Sequence, residues 1–520
     1  MTFIEKGYIF TMKQLKKRLP ALILAIMMAL SAVFATACAD EPQSQEPTTD
    51  DQPVDEQPEV EEPKQEKLPL DLPEVNYGGS EVHFVEWSVG GQVDTGKGWI
   101  PWEEVDVDDY DGDLLTGAIY DRNSMIEETY GVVITKEYIS VDQGYDTKIR
   151  NNASSGDDLY QAMTLRSLGI TTFILEKLMA NMYEMDHIHT DQIWWNQDSV
   201  ASYTLGSTLY FAAPEFLLRD KGATAAMYYN SKVAADNGVD DLYDLVKAGE
   251  WTWENFIDYS ERVSASLDGD DMMDSVRDQW GIVGSDSDVF RLFSGTGTKF
   301  ARIDEDGLIA YEFGDEESIL KMQEVFEEII YSDFFGHRGI VDFEGSATTA
   351  PFVNDLALFT IAGVREVNTM RSMESDYGIL PVPKYDEDQE DYSSLVWVHD
   401  DSVMGILDAA GDKDMVSLVV EAMSYHSWYD VYPKFYDTVI MGRSTRDEQS
   451  KEMLEIVFRT RLYDPGQFWD SGSGASGIQN KYLRLPETKQ SNISSIWSSY
   501  ESMVAKRFEE INAIIEESMW

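Results

Sequence analysis

Cysteine occurs once in the 520 residues, at Cys38. With no second thiol there is no internal disulfide and no multi-cysteine metal site, so the fold must be held by its core. Positive charge is also scarce. Lysine and arginine total 40 against 96 aspartates and glutamates, a formal charge of −56. Phosphate would be repelled rather than exchanged for released counterions, which argues against nucleic acid and, equally, against adsorption on anionic lipid. Gly-x-Ser-x-Gly, His-Glu-x-x-His, Walker and dinucleotide motifs are all missing. His187 and His189 have no third ligand at a matching spacing, which argues against zinc. The acidic run Asp268, Asp270, Asp271, Asp274 and Asp278 lacks the order and closing glutamate of a calcium loop and reads as a solvated loop. No metal and no cofactor is expected.

What is present begins at the N-terminus. Lys13, Lys16, Lys17 and Arg18 precede an apolar run from Leu19 to Phe34, which ends at Ala35-Thr36-Ala37-Cys38. That is the layout of a secretory signal, too short and wrongly flanked for a stable membrane span. Residues 1–37 are therefore expected to be removed, with Cys38 acylated to anchor the chain at the outer face of a bacterial cytoplasmic membrane. Residues 38–76 are Glu, Asp, Gln, Pro and Thr with few large apolar side chains. Such a stretch cannot bury enough surface to offset its ordering entropy, so it reads as an extended, disordered tether.

The remaining residues, about 440, suffice for two or three domains at roughly 150 residues each. Strand patterns at Glu81–Trp87, Val132–Tyr138 and Leu159–Thr164 alternate with helical spacing over Thr116–Tyr130, Tyr145–Ala153 and Leu168–Met182. Such alternation predicts parallel pairing with right-handed crossovers. Further strands are predicted at Ser207–Ala213, Ala225–Tyr229, Trp280–Val283 and Tyr377–Pro381, with a helix and strand near Phe352–Ile361. Helices are predicted over Leu242–Lys247, Trp253–Leu267 (capped by Thr252), Ile319–Tyr331, Met415–Tyr425, Arg446–Thr460 and Ser498–Met519. The fold class is α/β in two lobes: residues 77–182 with 338–375, and residues 183–337 with 376–520, the latter carrying the C-terminal helices.

Several segments resemble a known family. Met227-Tyr-Tyr-Asn230, Gly249-Glu-Trp-Thr-Trp-Glu-Asn-Phe256, Asp376-Tyr-Gly-Ile-Leu-Pro-Val-Pro-Lys384 and Leu418–Tyr436, continued by Arg446-Asp447 and Met453-Leu454, are similar to the extracellular solute-binding proteins of ABC importers, in the carbohydrate-directed family 1. The resemblance covers roughly residues 78–470. It implies a type II periplasmic-binding-protein-like Venus flytrap whose hinge crossings frame a ligand cleft. It also implies a carbohydrate ligand, expected to be a neutral oligosaccharide, and a membrane permease as partner. The competing readings are a surface-anchored glycoside-processing enzyme and a peptide-binding importer component.

Parallel sheets bind ligands beyond the carboxyl ends of their strands, and sugars want an aromatic face beside polar hydrogen-bonding groups. Trp87 at the end of the first strand, Thr164 and Arg166 at the end of the third, and Arg365 and Glu366 after the late strand meet that requirement. Trp397 joins them as a hinge residue, with Trp194, Trp195, Tyr210 and Trp469 behind. Trp251 and Trp253 read as core packing at a helix start.

Overall fold

The computed structural model describes residues 67–88, 102–107, 112–240, 242–270, 273–274, 277–337, 349–440, 448–469 and 478–518. Cys38, residues 39–66 of the expected tether, Asp271, Arg446 and Asp447 lie outside the described residues; its last part, 67–76, is not a free tether, since the Leu68 amide donates to the Tyr429 hydroxyl and Leu70, Leu72 and Val75 pack against the core. No described helix is long and apolar enough to cross a membrane.

Among the described residues thirteen strands follow in chain order: β1 (Ser80–Ser88), β2 (Val132–Ser140), β3 (Ala162–Leu165), β4 (Ala225–Asn230), β5 (Trp280–Gly284), β6 (Ala301–Ile303), β7 (Ile309–Tyr311), β8 (Phe335–His337), β9 (Ala357–Gly363), β10 (Tyr377–Leu380), β11 (Ser394–Leu395), β12 (Val403–Ile406) and β13 (Arg461–Leu462). Two main sheets result. The first has the order β12-β3-β1-β2 and the second β10-β4-β9-β5-β8. In the first, β1 pairs in parallel with β2 and β3, as strand–helix alternation predicts. In the second, β5 pairs in parallel with β8 and β9. Each sheet also holds one antiparallel strand beside its third parallel one: β12 against β3, and β4 against β9. Each is the first strand of its own sheet laid down after the chain has left the other main sheet, and each enters from the opposite end. β10 then adds antiparallel to β4.

This arrangement corrects one boundary. The strand near Phe359 was expected in the first lobe with 338–375, but β9 lies inside the second sheet, between β4 and β5. The strand returning to the first sheet is β12. All seven residues of β9 are buried, as suits a central strand covered on both faces. The remainder of that expected segment, 338–348, lies outside the described residues.

Local chemistry sets the element ends. Asp113 caps the helix Leu114–Tyr130 by accepting from the Leu115 and Thr116 amides, and Gly131 ends it at φ 62°. Thr252 caps Trp253–Val263 as expected, and both tryptophans are core: Trp251 donates to the Pro381 carbonyl and Trp253 packs on Phe256. Two expected elements do not form as such. Leu168–Met182 is only a short helix, Ile170–Leu175, and Ser207–Ala213 makes isolated bridges rather than a strand.

Segments passing between the sheets run side by side. Val396 donates to the Leu462 carbonyl, Trp397 to Ala223 and Val364 to Thr224, so residues 223–224, 394–397 and 461–462 form one ribbon. Inside it lies a charged cluster shielded from water. Lys221 pairs with Glu215 at 2.8 Å, while Arg461 reaches Glu215 at 3.0 Å and Asp220 at 2.8 Å. Tyr463 donates to Asp220 at 2.8 Å. Burial alone would push the Glu215 carboxyl up, but Lys221 and Arg461 hold it below its ordinary value.

Candidate functional site

The carboxyl ends of β1 and β3 in one sheet, and of β5 and β9 in the other, deliver their next residues to the ribbon. Trp87 is the penultimate residue of β1, and Arg166 follows β3. Arg291 lies on the helix Asp288–Ser294 just after β5, and Arg365 follows β9. β9 can turn there because Gly363 has no side chain: a Cβ would sit 2.6 Å from the Gly222 carbonyl. The segment Trp397–Ser402 runs from the ribbon into β12 and completes the site.

These groups touch one another. The guanidiniums of Arg166 and Arg219 lie 5.1 Å and 5.3 Å from the Trp87 ring centre. Arg291 lies 4.7 Å from the Trp397 ring centre, and the His399 ring stands 5.3 Å from that same indole. Asp400 links the two arginines of the second sheet, with one oxygen 2.8 Å from Arg365 and 3.8 Å from Arg291. Asp288 is the second partner of Arg291. Burial lowers the His399 pKa; Arg166 and Arg291 add to that effect and Asp400 opposes it.

Behind this layer Arg219 sits between two carboxylates. It lies 3.5 Å from Glu86 and 3.6 Å from Glu104, and donates to the Trp87 carbonyl at 3.1 Å. Burial pushes the Glu86 carboxyl up to about 7, Arg219 opposing it, and raises Glu104 as well. Asp401, which accepts from the Ser167 amide at 3.0 Å, is likewise pushed up to about 7 by burial.

Of the residues expected to form the site, Trp87, Thr164, Arg166, Arg365 and Trp397 come together here. Thr164 pairs in register with Glu86 and turns an unpartnered hydroxyl inward. Trp87 is no open platform, however. It is 1% exposed with two guanidiniums over its ring, so a sugar could stack on it only if Arg166 swung aside. Trp469 is buried on the helix Pro465–Trp469, which packs against the turn following Arg166. Two others are engaged elsewhere. Trp195, with Trp194, donates its indole N–H to buried Glu421. Tyr210 is half-buried, with Glu184 and Asp408 as its charged neighbours. Glu366 stands at the edge of the site, 3.5 Å from Arg365, and also accepts from Thr369. In the acidic loop, Asp278 accepts from the Leu267 and Asp274 amides, and Arg277 bridges Asp268 and Asp274.

Sequence reasoning missed Arg219, Arg291, His399 and Asp400. A signal existed for two of them. Arg291 stands in Val-Phe-Arg-Leu-Phe, and Arg219 follows Phe-Leu-Leu: a lone charge in an apolar run is buried and paired. Two surface grooves, of about 880 and 720 Å3, are lined by Glu316–Glu328 with Tyr385 and by Tyr183–Ser207 with Ile303–Gly307; neither includes a residue of this site.

No family model matches the chain, and no curated protein matches it. Solved structures do. An ABC substrate-binding protein of Listeria monocytogenes in complex with cycloalternan superposes with a TM-score of 0.52 at 11% identity, covering 82% of this chain and 98% of its own. The galacto-N-biose-/lacto-N-biose I-binding protein of Bifidobacterium longum gives 0.52 at 10% identity, over 84% and 98%. A cyclo/maltodextrin-binding protein complexed with maltotetraose gives 0.53 at 13%, over 84% and 98%. The fold is thus the two-lobed type II binding-protein fold. At these identities the likeness is one of fold.

Proposed function

We propose that the chain is the substrate-capturing component of an ABC importer, held by lipid on Cys38 at the outer face of the cytoplasmic membrane. It takes a carbohydrate between its lobes and delivers it to a permease. The observation that carries this reading is that Arg166, which follows β3 and lies over Trp87, and Arg291, which follows β5 and lies over Trp397, both act electrostatically on His399 in the crossing segment. A site assembled from both lobes is completed only when they close, which couples binding to a shape a permease can read. The structural neighbours named above are sugar-binding proteins, which supports carbohydrate as the ligand class.

Hydrolysis is poorly served by the same residues. Glu86 and Glu104, the nearest carboxylate pair with raised pKa, are fully enclosed and held by Arg219 and by the Leu218 and Arg219 amides. Neither reaches a space where a glycosidic bond and a water would fit. The test is calorimetric titration of a panel of oligosaccharides and oligopeptides. A saccharide should bind without being cleaved; cleavage, or binding of a peptide alone, would overturn the assignment.

A further inference from the structure

One helix carries the chain from the first sheet towards the second, and it is jointed. Lys413–His426 follows β12 and packs against it. Tyr432–Ile440 continues the same helix and packs through Phe435 and Tyr436 on Glu448–Arg459, which lies against β10. Between the two, Ser427–Val431 is a π-turn, in which the Tyr432 amide reaches five residues back to the Ser427 carbonyl. Pro433 accounts for the wider turn. It has no N–H to offer the Tyr429 carbonyl, so the regular ladder fails there. A helix interrupted in this way bends at the interruption. Arg122, from the helix Leu114–Tyr130, donates to the Ser427 hydroxyl at 3.0 Å and fixes the near side of the joint.

Residues 67–77 lie along this helix. Tyr77 donates to Asp414 near its start at 3.1 Å, and Lys67 pairs with Asp430 in the π-turn at 2.7 Å, so the segment runs against the helix direction. Leu70, Leu72 and Val75 pack on the core between these ends. Leu68 straddles the joint. Its carbonyl accepts from the Tyr425 hydroxyl at 2.8 Å, before the π-turn, and its amide donates to the Tyr429 hydroxyl at 3.0 Å, within it. The Lys67 ammonium also stands 5.5 Å from the centre of the Tyr429 ring.

We propose that residues 67–77 are a strap that splints this joint, so that the chain leading in from the tether governs how readily the lobes part. Bending at Ser427–Val431 changes the separation of Tyr425 from Tyr429, and Leu68, bonded to both, resists the change. The arrangement held in this way is the one that buries Trp87 and Trp397. A few residues at the end of an element suffice to absorb a lobe movement, which is why two hydrogen bonds placed there outweigh their number. The strap depends on the two-lobed fold alone and not on the identity of any ligand.

The experiment measures spin-label distances in the full chain carrying Cys38→Ser, without ligand. The labels sit at Asn151→Cys on Tyr145–Ser155, beside the first sheet, and Glu254→Cys on Trp253–Val263, beside the second. Tyr429→Phe, which takes the acceptor from the Leu68 amide, should raise the ratio of parted to joined molecules about two- to tenfold. Lys67→Ala should raise it less, because that ion pair is half exposed. Tyr77→Phe loosens the strap only where it meets Asp414, away from the joint. It should lower the urea midpoint without moving the distances. If Tyr429→Phe fails to fold, Lys67→Ala carries the test. Distances unchanged in the variants at the joint, or moved as much by Tyr77→Phe, overturn the splint and leave the strap as packing alone. Saccharide titration of the native chain, which tests the transport reading, is unaffected by either result.

Discussion

Glu421 is the acceptor on which two tryptophans depend, and its replacement separates a carboxylate from its closest mimic. The side chain is fully buried; one oxygen accepts from Trp194 Nε1 at 2.7 Å and the other from Trp195 Nε1 at 2.9 Å. The His189 amide adds a third donor at 3.3 Å. Burial raises the Glu421 pKa, while the donors favour the charged form. Glu421→Gln keeps the shape but replaces one acceptor by an amide donor, so one indole N–H faces N–H. A buried donor left without its acceptor costs about 1–3 kcal/mol, and Glu421→Leu, which strands both indoles, should cost about 2–6 kcal/mol. Urea unfolding followed by tryptophan fluorescence measures both. The control is Trp195→Phe, which removes one donor: in that background Glu421→Gln should lose much of its penalty. A Gln variant as stable as the native chain, or penalties that simply add, would refute the shared-acceptor account.

Other outcomes follow from the same structure and from the sequence. Cys38→Ala should release the protein to the medium or leave an uncleaved precursor; unchanged membrane retention and processing would remove the lipid anchor. Burial places the Glu86 and Asp401 carboxyls at about 7, above their ordinary 4.5 and 3.8, so both bind protons more tightly in the folded chain. The stability they contribute is fully present below about pH 4 and lost as pH rises through about 7. Glu86→Gln and Asp401→Asn should each flatten that decline in the urea midpoint, and an undiminished slope in both would count against the assignment. Trp253→Ala, which empties a buried site against Phe256, should cost about 3–5 kcal/mol by chemical denaturation. Trp87→Ala should cost a comparable amount, because Trp87 too lies in the core; a native-like midpoint would mean that its ring is free to face ligand.

Much of the fold was legible because its elements carry local signatures. β1, β2 and β4 appear where apolar strand runs predict them, and Gly131 and Thr252 mark helix ends through conformations and hydrogen bonds that depend on neighbouring residues alone. The lobe assignment of β9 was not legible in this way. A fully buried strand shows no alternation between faces, and nothing in Ala357–Gly363 records which sheet it joins. β12, Val403-Met-Gly-Ile406, was not predicted; a glycine interrupts its short apolar run. The site divided along similar lines. Trp87, Arg166, Arg365 and Trp397 were reachable because strand ends and hinge loops are predictable places for ligand contacts. Asp400 and His399 owe their position to a crossing whose path depends on both sheets. Trp195 was misjudged because a tryptophan's sequence neighbours do not reveal a carboxylate 226 residues away.

The enclosed cluster of Glu215, Asp220, Lys221 and Arg461 bears on how this chain can change over generations. Its charges balance two for two, and each member leans on at least one opposite partner. Loss of any single member strands a charge away from water, a change costing about 3–5 kcal/mol, whereas concerted replacement by apolar side chains of similar volume is often neutral. Divergence at the crossing should therefore proceed by paired exchanges, with positions 215, 220 and 221 drifting in step with position 461 across some 240 residues of sequence. The ribbon where the lobes join would then carry a correlated record of ancestry, even where single positions have lost all resemblance.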